Sequence, residues 1–124
     1  MIEFEEYKGK LNGLKPTLDA LRDALHLEAA EKEIEELEGQ SARDGFWNDV
    51  ENSQRVQKRL KQLKAKVENY EKLCSGWDDL MTLCEMAIEE DDDSMLPELQ
   101  SEYAEFEKKL EETRLGTLLT GEQD

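Results

Sequence analysis

Three groupings of side chains could in principle carry chemistry: the lone His26, the thiols Cys74 and Cys84, and the run Asp91-Asp92-Asp93. One histidine cannot supply a Ser-His-Asp arrangement, a His-Glu-x-x-His pair or a zinc site built on several imidazoles. It is expected as an ordinary surface or hinge histidine. Cys74 and Cys84 lie ten residues apart on a helical pattern, about 15 Å at 1.5 Å per residue, too far to bridge or to share a metal. Asp91, Asp92 and Asp93 could collect a divalent cation, but they lack the alternating ligands and glycine of a calcium loop, so a solvated turn is the expectation. The many carboxylates recur at helical surface spacing and no glycine-rich phosphate loop is present, so neither a raised carboxyl pKa nor a cofactor is expected. The chain is expected to have no enzyme activity of its own.

Charge narrows the partners. The 124 residues carry a formal −16, a field that opposes nucleic acid and anionic membrane over most of the surface. Its distribution is uneven. Residues 52–67 hold six basic side chains, Arg55, Lys58, Arg59, Lys61, Lys64 and Lys66, and no acidic one. The remainder has ten basic against thirty-two acidic residues, a net −22. This strip either pairs with neighbouring acidic helices or presents a docking face, Arg55, Lys58, Arg59 and Lys61 being its candidate contacts. Two apolar thiols suit a reducing compartment. With no signal peptide and no apolar run of membrane length, a cytoplasmic location and no membrane partner are expected.

The elements that hold these groups are helical. Ala, Glu, Lys, Leu and Arg make up about half of the chain, as in long helices and coiled coils. Phe4, Tyr7, Leu11, Leu14, Leu18, Leu21 and Leu25 alternate at three and four residues, predicting a helix over about 2–25 that kinks or restarts at Pro16. Leu27, Ala30, Ile34 and Leu37 predict a second helix over about 27–38, ended by Gly39, with a loop over 40–48. Asn48, with Glu51 as capping-box partner, is the expected start of a third helix over about 49–90. Its seam runs Val56, Leu60, Leu63, Val67, Tyr70, Cys74, Trp77, Met81, Cys84 and Ile88, with Ser75-Gly76 facing solvent and Gly76 the position at which the helix could bend. After the acidic turn, Ser94 or Asp93 caps a last helix over about 94–115, which Gly116 stops. The expected architecture is all-α: an elongated bundle in which the last two helices form an antiparallel hairpin and the N-terminal pair supplies the third side. Leu73, Leu80 and Leu83, beyond a two-helix seam, call for that extra cover. Residues 1–116 read as one helical domain and 117–124 as a polar linker.

The loop stands apart, for it spends Phe46 and Trp47 side by side. As a plug in the open end of a bundle the two rings would contribute about 3–6 kcal/mol. The sharper alternative makes them an anchor for a partner protein.

These loop residues also carry a resemblance. "DGFWNDVENSQ" after "EKEIEELEG" resembles the N-terminal domain of the bacterial peptide chain release factor 2 family, in which an aspartate, a Trp-Asn pair and an acidic residue stand at this junction. "LCEMAIEEDDD" and "LLTGEQD" resemble, in the same order, the end of that family's long helix with its acidic turn, and the segment before its central domain. The resemblance implies a class I release factor that reads UAA and UGA with a Ser-Pro-Phe tripeptide and triggers peptidyl-tRNA hydrolysis with Gly-Gly-Gln. Neither motif occurs in this chain. Glu38-Gly39-Gln40 lacks the first glycine and lies at a helix end. The partners implied are ribosomal proteins of the stalk base and the class II release factor GTPase. From the charge, no direct nucleic-acid site is expected in this domain, and the isolated domain is expected to be monomeric. The hairpin tip, with Asp91, Asp92 and Asp93, and the basic strip are the expected contact surfaces. A free-standing coiled-coil adaptor or scaffold would show the same periodicity but dimerise through exposed seams. An acidic nucleic-acid mimic or chaperone of basic proteins would bind many basic partners and lose them with salt.

Overall fold

The computed structural model describes residues 1–120. Among them the chain forms α1 (Ile2–Ala24), α2 (Leu27–Ser41), α3 (Val50–Glu90) and α4 (Leu96–Thr120), with 3-10 turns at Phe46–Asn48 and Asp93–Met95. The fold is an all-α bundle, as the periodicity predicts. It divides into two compact units, Met1–Leu21 with Glu71–Asp124, and Arg22–Tyr70.

In the first unit, α1 lies against the C-terminal half of α3, the Trp77 indole N–H donating to the backbone carbonyl of Leu11 and Lys8 reaching Glu85 at 3.9 Å. Partners on α3 fall in number as those on α1 rise, so these two helices run antiparallel. Against α4, α1 sets Tyr7 edge-on to Tyr103, with centroids 5.1 Å apart. The core between the three helices includes Phe4, Leu11, Leu80, Cys84 and Leu99. Because α3 here meets two helices, its buried face is wider than a single seam and is offset from the expected one. Leu73, Leu80 and Ala87 are buried, whereas Cys74, Met81 and Ile88 are only half-buried. Leu73 and Leu80 are among the extra apolar positions for which a third side was expected.

Glycine and proline mark fewer boundaries than their types suggest. α1 runs through Pro16 without interruption. The carbonyl deprived of a partner is that of Asn12, and both residues are exposed, so water can serve it. Gly76 does not face solvent or break α3: a Cβ there would stand 3.3 Å from the Phe106 ring, so its lack of a side chain permits close approach of α4. Gly39 does not stop α2, which continues to Ser41, and Gly116 does not stop α4, which continues to Thr120. Neither position needs a left-handed backbone, and a helical glycine costs only about 1 kcal/mol. Residues 117–120 of the expected linker are therefore helical, and 121–124 lie outside the described residues.

Three residues between the helices are in the left-handed region. His26, with φ 55°, separates α1 from α2, its N–H donating to Asp23 and its carbonyl accepting from Ala30. It is exposed and lies between two helices, in keeping with the surface or hinge histidine expected. Gly45, with φ 80°, sets up the turn before α3. Asp91, with φ 52°, ends α3 with paired bonds, Asp91 N–H to Ile88 O and Asp92 N–H to Ala87 O, the pattern of a Schellman close. Asp92, not Asp93 or Ser94, caps the 3-10 turn that leads into α4: its carboxylate accepts the Ser94 N–H at 2.9 Å.

Candidate docking surfaces

In the second unit, Ala30, Leu37, Phe46, Val56, Leu60 and Leu63 form one buried cluster, with Ile34 and Val67 at its margin. The expected aromatic plug is half realised. Phe46 closes this cluster at 9% exposure, but Trp47 remains 60% exposed. Residues in a 3-10 turn point three ways, so neighbours cannot both enter one core. Trp47 is nonetheless held. Its ring stands edge-on to Phe46, with centroids 4.9 Å apart and planes at 84°. The turn beneath it is closed by Phe46 N–H to Arg43 O and Asn48 N–H to Gly45 O. The next residue starts α3: Asp49 accepts the Asn52 N–H at 3.0 Å, so Asp49 is the cap and Asn48 belongs to the turn. The spacing of an Asx residue three before Asn52 was the signal for this, equally compatible with Asn48 and Glu51.

The basic strip resolves into separate roles. Arg59 forms a two-pronged pair with Glu33 at 2.7 and 2.8 Å, and Lys64 meets Glu38 at 2.8 Å. Lys66 donates to the Leu25 carbonyl at 2.9 Å. These three side chains hold α2 and the residues before it against α3. Arg55 donates to the neighbouring Asn52 side chain at 2.7 Å. Lys58 and Lys61 are exposed, and no carboxylate of the described residues lies within ion-pair distance of either. Of the four candidate contacts, then, Arg59 is occupied within the fold and Lys58 and Lys61 are open to a partner.

Asp91, Asp92 and Asp93 surround the α3–α4 turn in the first unit. Asp92 is held below the usual carboxylate range by the Ser94 hydroxyl and backbone N–H beside it, and Glu3 likewise by its own backbone N–H and the chain N-terminus. A carboxyl displaced downward is not a general acid at neutral pH. No group of three or more His, Cys, Asp or Glu among the described residues is placed to hold a metal ion. Cys74 and Cys84 are both free thiols. Burial pushes the Cys84 thiol up, against a smaller opposite pull from Lys8, so it is packing rather than nucleophile. No helix of the described residues is long and apolar enough to cross a membrane.

The chain belongs to the PCRF domain family, whose pattern matches residues 30–124. Among its curated relatives are proteins named peptide chain release factor 2. The one from Acidothermus cellulolyticus is 39% identical over 114 residues, covering 92% of this chain and 31% of the relative. That from Clostridium perfringens strain SM101 is 33% identical over 124 residues, 100% of this chain and 34% of the relative. A third, from Petrotoga mobilis, is 31% identical over 124 residues, with 100% and 33% covered. This chain spans about a third of the length of these relatives.

Proposed function

We propose that this chain is the N-terminal helical domain of a class I peptide chain release factor, cytoplasmic, and that the intact protein ends translation at UAA and UGA codons by promoting peptidyl-tRNA hydrolysis. The observation that carries the reading is that the whole chain aligns with about a third of proteins of that name. With no Ser-Pro-Phe and no Gly-Gly-Gln in its 124 residues, codon reading and hydrolysis belong to other parts of the longer protein, and 117–124 leads toward its central domain. The role left to this domain is contact with the ribosomal stalk base and influence on the class II release factor GTPase. Its acidic surface suits meeting basic ribosomal proteins without trapping on ribosomal RNA. The candidate contacts are the α3–α4 turn, with Asp91, Asp92 and Asp93, and the basic strip, with Arg55, Lys58 and Lys61 exposed and Arg59 paired with Glu33 unless a partner displaces it.

The first test is the mass of the native product. A protein about three times this length, carrying Gly-Gly-Gln downstream, is the expected result, and a product ending at Asp124 overturns it. The second is co-sedimentation of that native product with ribosomes stripped of their stalk-base proteins and then reconstituted. Equal binding to both overturns the stalk contact.

A further inference from the structure

We infer that the outer face of the first half of α3, led by Trp47, is a docking site for an acidic helix of a partner protein that carries an apolar end. Val50, Gln54, Lys58, Lys61 and Ala65 follow one another at spacings of three and four, so they line one side of α3, and every one of them is exposed. This is the side turned away from the cluster of Val56, Leu60 and Leu63. At its start stand the two large apolar side chains that the second unit leaves outside, Trp47 at 60% and Val50 at 61% exposure.

Three features make this more than solvated surface. Trp47 is exposed and yet ordered, by the Phe46 ring on one side and the closed 3-10 turn beneath, so a partner would immobilise it at small entropic cost. Lys58 and Lys61 are exposed cations of this face with no carboxylate of the described residues in ion-pair distance, while Arg59, Lys64 and Lys66 are engaged internally and Arg55 reaches the Asn52 side chain. In a molecule with twice as many acidic as basic residues, two adjacent lysines left facing outward are complementary to an external carboxylate pair. The face is also polar in direction. Asp44, Asp49 and Glu51, all exposed, flank Trp47 and Val50 in the sequence at one end, and Lys58 and Lys61 follow at the other. A partner must therefore set apolar side chains on Trp47 and Val50 and acidic ones on Lys58 and Lys61. From Val50 to Lys61 is about 16 Å along the axis, which three turns of a partner helix match. A nucleic acid fits less well, since phosphates beside a base stacked on Trp47 would meet those three carboxylates and the −16 field.

The partner's source rests on the release-factor reading, but the face itself does not, and the two can fail separately. The test titrates the 124-residue chain by calorimetry with a synthetic helical peptide bearing leucines at one end and glutamates at the other. The controls are the same peptide with lysines for glutamates, and a single-stranded RNA oligonucleotide. Binding of the acidic peptide is expected, weakened about tenfold by Trp47→Ala and by Lys58→Glu with Lys61→Glu, and unchanged by Asp91→Asn with Asp93→Asn. Trp47→Phe, which keeps a ring, recovers part of the loss, and circular dichroism verifies that each variant keeps its helicity. Absence of peptide binding, equal binding by the variants, or tighter binding of the RNA or the lysine peptide each overturns the inference. Ribosome binding by the native product bears only on the release-factor reading.

Discussion

The two units solve the same packing problem with different means. In the first, three helices enclose a core, and two lysines cover aromatic rings: Lys15 stands 4.4 Å above Trp77 and Lys10 5.0 Å above Tyr7. In the second, a smaller apolar cluster is sealed at one end by Phe46 and flanked by charge, with Glu33 and Glu38 on α2 engaging Arg59 and Lys64 on α3. A core with three sides can bury wide faces such as that of α3 around Leu73 and Leu80. A core made chiefly by two helices leaves its margins near water, where long cationic side chains cover apolar surface with their stems and pair at their tips. The difference teaches that the basic strip is not one feature, because part of it is engaged within the fold and part is exposed with no carboxylate of the described residues beside it.

The largest effects should come from the centres of the two cores. Phe4→Ala, at a position with no exposed surface, is expected to cost about 4–5 kcal/mol, and Phe46→Ala about 3–4 kcal/mol, both read by urea denaturation. Trp47→Ala, one residue away, should cost less than about 1 kcal/mol. Equal losses at 46 and 47 would show both rings packed as a plug and erase the contrast between them.

Next in size is the division of the cations. Arg59→Ala should destabilise by about 1 kcal/mol, its pair with Glu33 being partly screened by solvent, and less in high salt. Lys58→Ala should leave stability within about 0.5 kcal/mol. A charge-reversal test of the strip should therefore spare Arg59, since Arg59→Glu would set like charges together at Glu33. Were Lys58 to prove the costlier site, the assignment of roles along the strip would be reversed.

Gly76→Ala measures how tightly α4 approaches α3. Alanine favours the helix by about 1 kcal/mol, and the 3.3 Å approach to Phe106 asks the ring to yield by a few tenths of an ångström. The expected thermal shift is near zero, while Gly76→Leu should lower stability by about 1–3 kcal/mol. A clear gain from leucine would mean that the helices stand further apart there.

The smallest effects are titrations. Asp92, held low by Ser94, lends stability that is fully present above the ordinary carboxylate range and is lost as pH falls through its depressed value. Asp92→Ala should accordingly flatten the acid limb of the melting curve as pH falls below the ordinary carboxylate range. The Cys84 thiol, raised by burial, acts oppositely: its contribution is present below the ordinary thiol range and fades as pH rises through the raised value. Alkylation near neutral pH should modify half-buried Cys74 before Cys84, as peptide mapping would show. Equal rates would place the two thiols in one environment.

By itself the sequence determined the fold class, the helices and the resemblance to a family, because periodic apolar residues report which side of a helix must leave water whatever it packs on. It also marked the loop of Phe46 and Trp47 and the strip of cations as the places where contact chemistry could lie. Boundaries were less legible. Gly39, Gly76, Gly116 and Pro16 read as stops or bends, yet α1 and α3 give way at His26 and Asp91, where a left-handed backbone is adopted, and α2 ends at Ser41 with a right-handed cap at Ala42. Residue type says which conformations are permitted, and hydrogen bonding in the assembled turn selects among them. Only tertiary structure decided that Leu73 and Leu80 outrank Cys74 and Met81 in the core, that Phe46 goes in while Trp47 stays out, and that Arg59 is committed while Lys58 and Lys61 are not. Each of these choices depends on the distance and direction of side chains on another helix, and spacing along one chain carries no such information.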